Sequence, residues 1–299
     1  MIGCSVIVPT YNRLPQLKQC LAALAALTHP NYEVIVINDG CTDGTKEYLT
    51  QLSDTRFKVV NLPQNLGVSE ARNRGVAEAN YPIVAFTDDD CIAEPTWVTE
   101  LLKPFTNERI GFSIGATEYV AHGYCGYFPE RIIQNQHGQF PGAGNIAYRK
   151  EVFAKIGGFK DEFFRLYHNE DSEFAVRAVA AGFTYVSCPA AVVFHQASTW
   201  TVRSLLNSAK NSTVWPVMKK LYPHHYRCFN PPVYWNAVVM PQEYLYLLLS
   251  PILIPLLLVR YLWHGKRDMK LFFAKWPVWL VLKRYYIYRE ALRQNVFIL

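Results

Sequence analysis

Ile83-Val84-Ala85-Phe86-Thr87-Asp88-Asp89-Asp90-Cys91 decides how the rest of the chain is read. An apolar run of strand length ends abruptly in three carboxylates, the pattern of a buried strand that delivers charge to the edge of a sheet. Three adjacent anions repel one another. They sit side by side at least cost among hydrogen-bond donors or around a hard divalent cation with oxygen ligands. Mg2+ or Mn2+ on one or two carboxylates commonly takes further ligands from substrate phosphates, which points to a phosphate-bearing substrate. The alternative is that the acids only decorate the entry to a helix near Pro95, where negative charge suits the dipole.

Upstream, Ser5 to Pro9 reads as a buried strand, followed by a loop Thr10-Tyr11-Asn12-Arg13 and a helix beginning at Pro15 with Leu14, Leu17, Leu21 and Leu24 at helical spacing. Glu33 to Asn38 is a second strand closing on Asp39-Gly40, and Thr45 to Leu52 reads as helix. Asp39 is therefore expected at the carboxyl end of a parallel strand rather than in a hairpin turn. Phe57 to Leu62 is a third strand. Asn65-Leu66-Gly67-Val68-Ser69 leads into a helix carrying Arg72, with Ser69 as its expected N-cap. Strand and helix alternate four times in about ninety residues, the pattern of a parallel α/β sheet with right-handed crossovers. Such sheets bind ligands at the carboxyl ends of their strands. No G-x-G-x-x-G follows the first strand and no Walker A sequence is present, which argues against a dinucleotide-binding dehydrogenase and a P-loop enzyme.

Charge divides the 299 residues. Residues 1–199 hold 16 Lys+Arg and 21 Asp+Glu, whereas residues 200–299 hold 14 and 3, so the basic excess lies wholly in the last third. That third is also rich in Leu, Trp and Tyr, which favours a membrane surface with anionic lipid over nucleic acid. Seven cysteines without a C-x-x-C pair give neither a zinc ligand set nor a disulfide framework. The chain enters a strand directly after Met1, with no secretory signal pattern, and a cytoplasmic location is expected.

At this point the residues carry a resemblance. Val6 to Arg13, Asn38-Asp39-Gly40, Asn65-Leu66-Gly67 with Ala71-Arg72-Asn73-Arg74-Gly75, and Asp88-Asp89-Asp90 resemble successive signatures of family 2 glycosyltransferases of the GT-A fold. The resemblance continues through Gly142 to Lys150, Gly157-Gly158-Phe159 and Glu170-Asp171-Ser172-Glu173. It implies a Rossmann-like, mostly parallel sheet flanked by helices. The catalytic domain would span 1–199, with a nucleotide-binding half over about 1–92 and an acceptor half over about 93–199. The donor would be a nucleoside diphosphate sugar, most often a uridine one, bound with Mn2+ or Mg2+. By resemblance Asp39 accepts a hydrogen bond from the base; Pro9, Thr10, Tyr11 and Arg13 line base and ribose; and Arg72 is a donor near the nucleotide. Asp88, Asp89 and Asp90 share ribose and metal, with Asp90 on the metal, while Gly144 and Asn145 belong to a bend by the sugar. His195 serves as an additional metal ligand in some relatives, although a lone histidine is more often structural.

A diphosphate leaving group needs its developing charge neutralised, and an acceptor hydroxyl needs a general base. The family pattern makes Asp171 that base with Glu170 beside it; the bland reading is that Glu170, Asp171 and Glu173 merely suit a helix N-terminus. A single base without an enzyme nucleophile implies inversion. The alternatives are a polyprenyl phosphate glycosyltransferase, whose ionised acceptor needs no base, and an inactive GT-A scaffold. Residues 119–141, including His122, Tyr124, Tyr127, Phe128 and His137, carry no periodic pattern and are read as an acceptor loop or a connection.

The last hundred residues are expected to be helical. Trp200 to Tyr222 carries Lys219 and Lys220 on a solvated face. Tyr244 to Val259 is uncharged, but it is short for a full crossing of roughly 20 residues and is interrupted by Pro251 and Pro255, so an interfacial or re-entrant hairpin is expected. Lys266 to Arg284 interleaves basic and aromatic residues as headgroup regions prefer. This predicts a monotopic attachment to the inner face of the cell membrane, where a glycan or lipid-linked acceptor would be met. The alternative is a soluble appendage or an oligomer contact.

Overall fold

The structure, a computed structural model, describes residues 2–120, 130–131, 135–196, 198–229 and 241–297. His122, Tyr124, Tyr127 and Phe128 lie outside the described residues. By internal contacts the chain divides into one unit of Met1–Val120, Ile133–Arg165 and Glu170–Gln196 and another of Ala121–Ile132, Leu166–Asn169 and Ala197–Leu299.

The first unit is built on β1 (Cys4–Thr10), β2 (Tyr32–Asn38), β3 (Phe57–Asn61) and β4 (Ile83–Phe86), all parallel, in the order β3-β2-β1-β4. β1 is buried along its whole length, which is why it reads as a continuous apolar run rather than an alternating one. Helix α1 (Leu14–Ala25) buries Leu17, Leu21 and Leu24 of the expected stripe together with Cys20, while Leu14 at its start is half-buried. α2 (Thr45–Leu49) and α3 (Val68–Glu78) form the next crossovers.

Beyond β4 the sheet turns mixed. β8 (Ile146–Arg149) runs antiparallel to β4 and to β6 (Ile110–Val120); β6 is parallel to β9 (Thr184–Gln196), and β9 is antiparallel to β5 (Cys91–Ala93). The core includes Trp97 of α4 (Trp97–Leu102), with no exposed surface, between the parallel half and β9 residues such as Val193. α5 (Lys150–Ile156), α6 (Asp161–Tyr167) and α7 (Glu170–Ala180) follow β8. A cluster of Phe86, Tyr148, Phe153, Phe159 and Phe174 joins β4, β8, α5 and α7, with Phe159 and Phe174 ring centroids 4.6 Å apart.

Two expectations are corrected here. Ser69 does not cap α3: it lies inside the helix, fully buried, and the N-cap is Gly67 at φ +98°, a conformation glycine adopts without steric cost. The three aspartates do not sit at a helix entry either, because β5 separates them from α4.

The second unit contains α8 (Val202–Asn211), α9 (Val214–Leu221), α10 (Pro241–Trp263), α11 (Met269–Phe273) and α12 (Leu280–Gln294), with the two-residue strands β7 (Glu130–Arg131) and β10 (Ser198–Thr199) paired. Leu205, Leu271 and Ala274 form one small core with Trp200, Val202 and Trp279 against it. Lys219 and Lys220 are not merely solvated: Lys219 Nζ donates to Phe297 O and Lys220 Nζ to Gln294 Oε1, placing cations at the C-terminal end of α12, where they complement its partial negative charge. The hairpin expectation is also overturned. α10 is a single 23-residue helix running through Pro251 and Pro255. The prolines stand four residues apart, so the lost backbone bonds fall on one side of the helix. Within α10, Tyr244–Trp263 is long and apolar enough to cross a membrane. Leu245, Leu248, Ile252, Leu256 and Val259 are 55–76% exposed.

Candidate active site

Strand register gathers the acidic run. Thr10 pairs with Asn38 and Asn38 with Asn61, so three parallel strands end level; Phe86 pairs with Ile7, which carries Asp89 up to the height of Thr10. Thr10 Oγ1 donates to Asp89 Oδ2 at 2.7 Å, and Arg13 Nη1 donates to Asp89 Oδ1 at 3.2 Å and Asp90 Oδ2 at 2.9 Å. These donors answer the repulsion within the run. Burial still pushes the Asp89 carboxyl up to about 6, against the pull of Thr10 and Arg13, and its two acidic neighbours add to the rise.

The antiparallel register of β5 and β9 sets Cys91 opposite His195. Ligand atoms of Asp88, Asp90, Cys91 and His195 lie within 4.8 Å of one another. Asp90 Oδ1 is buried with no hydrogen-bond donor among the described residues and lies 3.3 Å from His195 Nε2. His195 Nδ1 lies 2.8 Å from Gln196 O, and with Nδ1 donating to that carbonyl the Nε2 lone pair and the Asp90 oxygen face each other as two ligand atoms for a divalent cation. The carboxylates and the imidazole suit a divalent ion such as Mn2+ or Mg2+, while burial pushes the Cys91 thiol well above its usual range and keeps it protonated. Cys91 was not singled out in the sequence, because its position opposite His195 depends on a register that spacing does not reveal.

The second carboxylate pair stands at the start of α7. Glu170 is 6% exposed and its Oε1 accepts from Arg72 Nη1 at 2.7 Å; Arg72 Nη2 donates to Asp88 Oδ1 at 3.0 Å. Arg72 is thus no solvated helix charge. Asp171 is half-buried: its Oδ2 accepts from Ala143 N at 3.3 Å and its Oδ1 from Ser172 N at 2.7 Å. Next to Ala143 stands Gly144, where a Cβ would lie 2.9 Å from Asp88 Oδ2, so glycine is what lets this bend meet the carboxylate. The two acid sets are therefore bridged by Arg72, and the Ala143–Gly144 bend that donates to Asp171 passes close beside Asp88. Burial, and then the Glu170 charge, push the Asp171 carboxyl up to about 7, while Arg72 and the backbone amides pull it down. Glu173 takes no part in this cleft: it has no exposed surface and pairs with Arg177 and Lys160.

Other expected residues stand apart from this cluster. Asn145 is 1% exposed, and its amide accepts from Trp97 Nε1 and donates to Ala116 O and Ala191 O, so its side chain struts the sheet. Asp39 is 3% exposed with its oxygens on Leu66 N at 2.7 Å and Gly67 N at 3.0 Å, which shapes the loop before α3; a base would have to use a remaining lone pair. Pro9 is buried within β1, while Tyr11 is 47% exposed beside the site.

The fold and these sites can be set against known proteins. The description "Glycosyl transferase family 2" matches residues 5–159, more than half of the chain, and "N-terminal domain of galactosyltransferase" matches residues 130–197. Glycosyltransferase AglE of Haloferax volcanii is 26% identical over 192 residues, covering 60% of this chain and 62% of that protein. A glucosyl-dolichyl phosphate glucuronosyltransferase of the same organism is 25% identical over 178 residues, 52% of this chain and 55% of that one. The matched region thus spans less than two thirds of these relatives' own length. Among solved structures, a mannosyltransferase of Pyrobaculum calidifontis in complex with GDP-Man and Mn2+ superposes with a TM-score of 0.63 at 15% identity, over 96% of this chain and 87% of that one. With residues 5–159 matched, the chain belongs to glycosyl transferase family 2 and has the GT-A fold.

Proposed function

We propose that the chain is a metal-dependent inverting glycosyltransferase moving a sugar from a nucleoside diphosphate sugar to a hydroxyl of a glycan or lipid-linked acceptor, with uridine the first nucleotide to test. The observation that carries this reading is the Arg72 bridge between the Asp88–Asp90 run and the Glu170–Asp171 pair, with the Ala143–Gly144 bend that donates to Asp171 passing close beside Asp88. In this reading residues 1–199 form the catalytic domain.

Asp90 and His195, with Asp88 alongside, would hold the cation. When bound, it supplies neutralisation of the charge that gathers on the departing diphosphate. Thr10, Tyr11 and Arg13 bind base and ribose, Asp39 holds the loop that borders them, and Asp89 takes the ribose. Asp171 accepts the proton of the acceptor hydroxyl; the acceptor oxygen then bonds to the anomeric carbon as the bond to the diphosphate oxygen breaks. A single displacement of this kind inverts the anomeric configuration. Support for a lipid-linked acceptor comes from the dolichyl phosphate substrate named for the archaeal relative. The exposed apolar stripe of α10 and the basic, aromatic residues after it support attachment of 200–299 to the inner face of the cell membrane.

The test is a panel of UDP- and GDP-sugars with Mn2+ and candidate acceptors. Turnover is expected from at least one donor, abolished by Asp90→Ala and collapsed by Asp171→Asn. Transfer that survives Asp171→Asn would assign an already ionised phosphate acceptor instead. If no donor is turned over and none raises the melting temperature, the chain is a GT-A binding subunit.

A further inference from the structure

Arg72 is the one cation in contact with both acid sets among the described residues, and the nucleotide role expected for it does not match its surroundings. Its guanidinium is 5% exposed and meets Asp88, 16 positions along the chain, and Glu170, 98 positions along. We infer that Arg72 is a positioning residue for acceptor activation: it fixes the first turn of α7, and with it the Asp171 carboxylate, against the Asp88 end of the aspartate run. This rests on the reading of Asp171 as the base.

Three observations converge on it. A guanidinium is a rigid planar fork, so two charge-assisted bonds to carboxylates on different elements hold those elements at a set spacing, which a flexible ammonium does not do. The neighbouring residue aims the fork: Asn73 Nδ2 donates to Phe159 O at 2.9 Å and Asn73 Oδ1 accepts from Phe159 N at 2.8 Å, and the Phe159 ring lies 5.8 Å from the Arg72 guanidinium carbon. Phe159 in turn packs on Phe174 of α7, so helix and fork share one support. Finally, Glu170 and Asp171 are adjacent carboxylates at the start of α7, and the Arg72 charge on Glu170 offsets the repulsion between them.

The test uses the full-length protein and Arg72→Met, Arg72→Lys and Glu170→Gln. Nucleotide affinity is read by calorimetry with UDP and GDP in the presence of Mn2+, and the first turn of α7 by amide hydrogen exchange over residues 170–174. Arg72→Met is expected to speed that exchange and lower the kcat of transfer by about a hundredfold, the scale of a misplaced catalytic group. Nucleotide Kd and donor KM should stay within about threefold. Arg72→Lys, which keeps the charge without the fork, recovers only part of kcat. Unchanged exchange, or a nucleotide Kd weakened tenfold or more, would overturn the inference and return Arg72 to the nucleotide. If Arg72→Met does not fold, Glu170→Gln decides: faster exchange over residues 170–174 together with a fall in kcat at unchanged Kd supports the tie, and unchanged exchange rejects it. If the parent protein turns over no donor, the proposed function fails, while exchange in the variants still reports whether Arg72 holds α7.

Discussion

Burial and the Glu170 charge push the Asp171 carboxyl up to about 7, so at neutral pH this side chain is poised between acid and base. The rate of transfer is therefore expected to rise with pH through about 7 and to level off above it, a profile measured as kcat against pH and lost in Asp171→Asn. The same shift has a stability consequence of fixed sign. The folded state favours the protonated carboxyl, so its contribution is complete below the unfolded carboxylate pKa of about 3.9 and is lost as pH rises through about 7. Asp171→Asn should thus raise the melting temperature at pH 8 by about 2–4 °C, corresponding to roughly 1 kcal/mol, with little change at pH 4. Equal effects at both pH values would mean that the carboxyl titrates normally. Most residues of the candidate site were legible as types: Asp88 to Asp90, Glu170, Asp171 and Arg13 are charged positions at the ends of apolar runs or at the start of a helix. Asn145 was read as part of a backbone bend, and the structure adds what its side chain does: it satisfies the carbonyls of Ala116 and Ala191 inside the sheet.

At the scale of elements, the parallel strands were legible because their two-sided burial leaves unbroken apolar runs, and α1 because its leucines recur at helical spacing. α10 was misread because proline was taken as a break. In the structure Pro251 and Pro255 share one side of a continuous helix, and the loss of backbone hydrogen bonds is confined to that side. Leu248, Ile252 and Leu256 are 62–76% exposed and recur at spacings of four, a stripe that water disfavours. Burying each in lipid is worth about 1.5–3 kcal/mol, so the triple change to Ser is expected to weaken binding to anionic vesicles at least about a hundredfold in a flotation assay. Unchanged vesicle binding with a shift in oligomeric state by light scattering would assign the stripe to self-association.

Across the whole molecule, charge is divided along the chain. The last hundred residues carry 14 Lys+Arg against 3 Asp+Glu, and the first 199 are net acidic. Attraction of the basic third to an anionic surface is screened within a Debye length of about 10 Å at 0.1 M salt and about 3 Å at 1 M. Binding to vesicles containing phosphatidylglycerol should fall steeply over that range and be weak on phosphatidylcholine alone. Binding indifferent to salt would mean that apolar insertion alone anchors the chain.

From the amino acids alone came the α/β class, the order of the first four strands and their helices, and the acidic residues on which chemistry can run, because local patterns of burial and charge are written in neighbouring positions. Tertiary structure alone decided which of those residues meet. The pairing of Cys91 with His195, the reach of Arg72 to Glu170 across 98 positions, and the passage of Gly144 beside Asp88 follow from strand register and from helices packed on a sheet. Such contacts depend on the packing of elements distant in sequence, which no local spacing records.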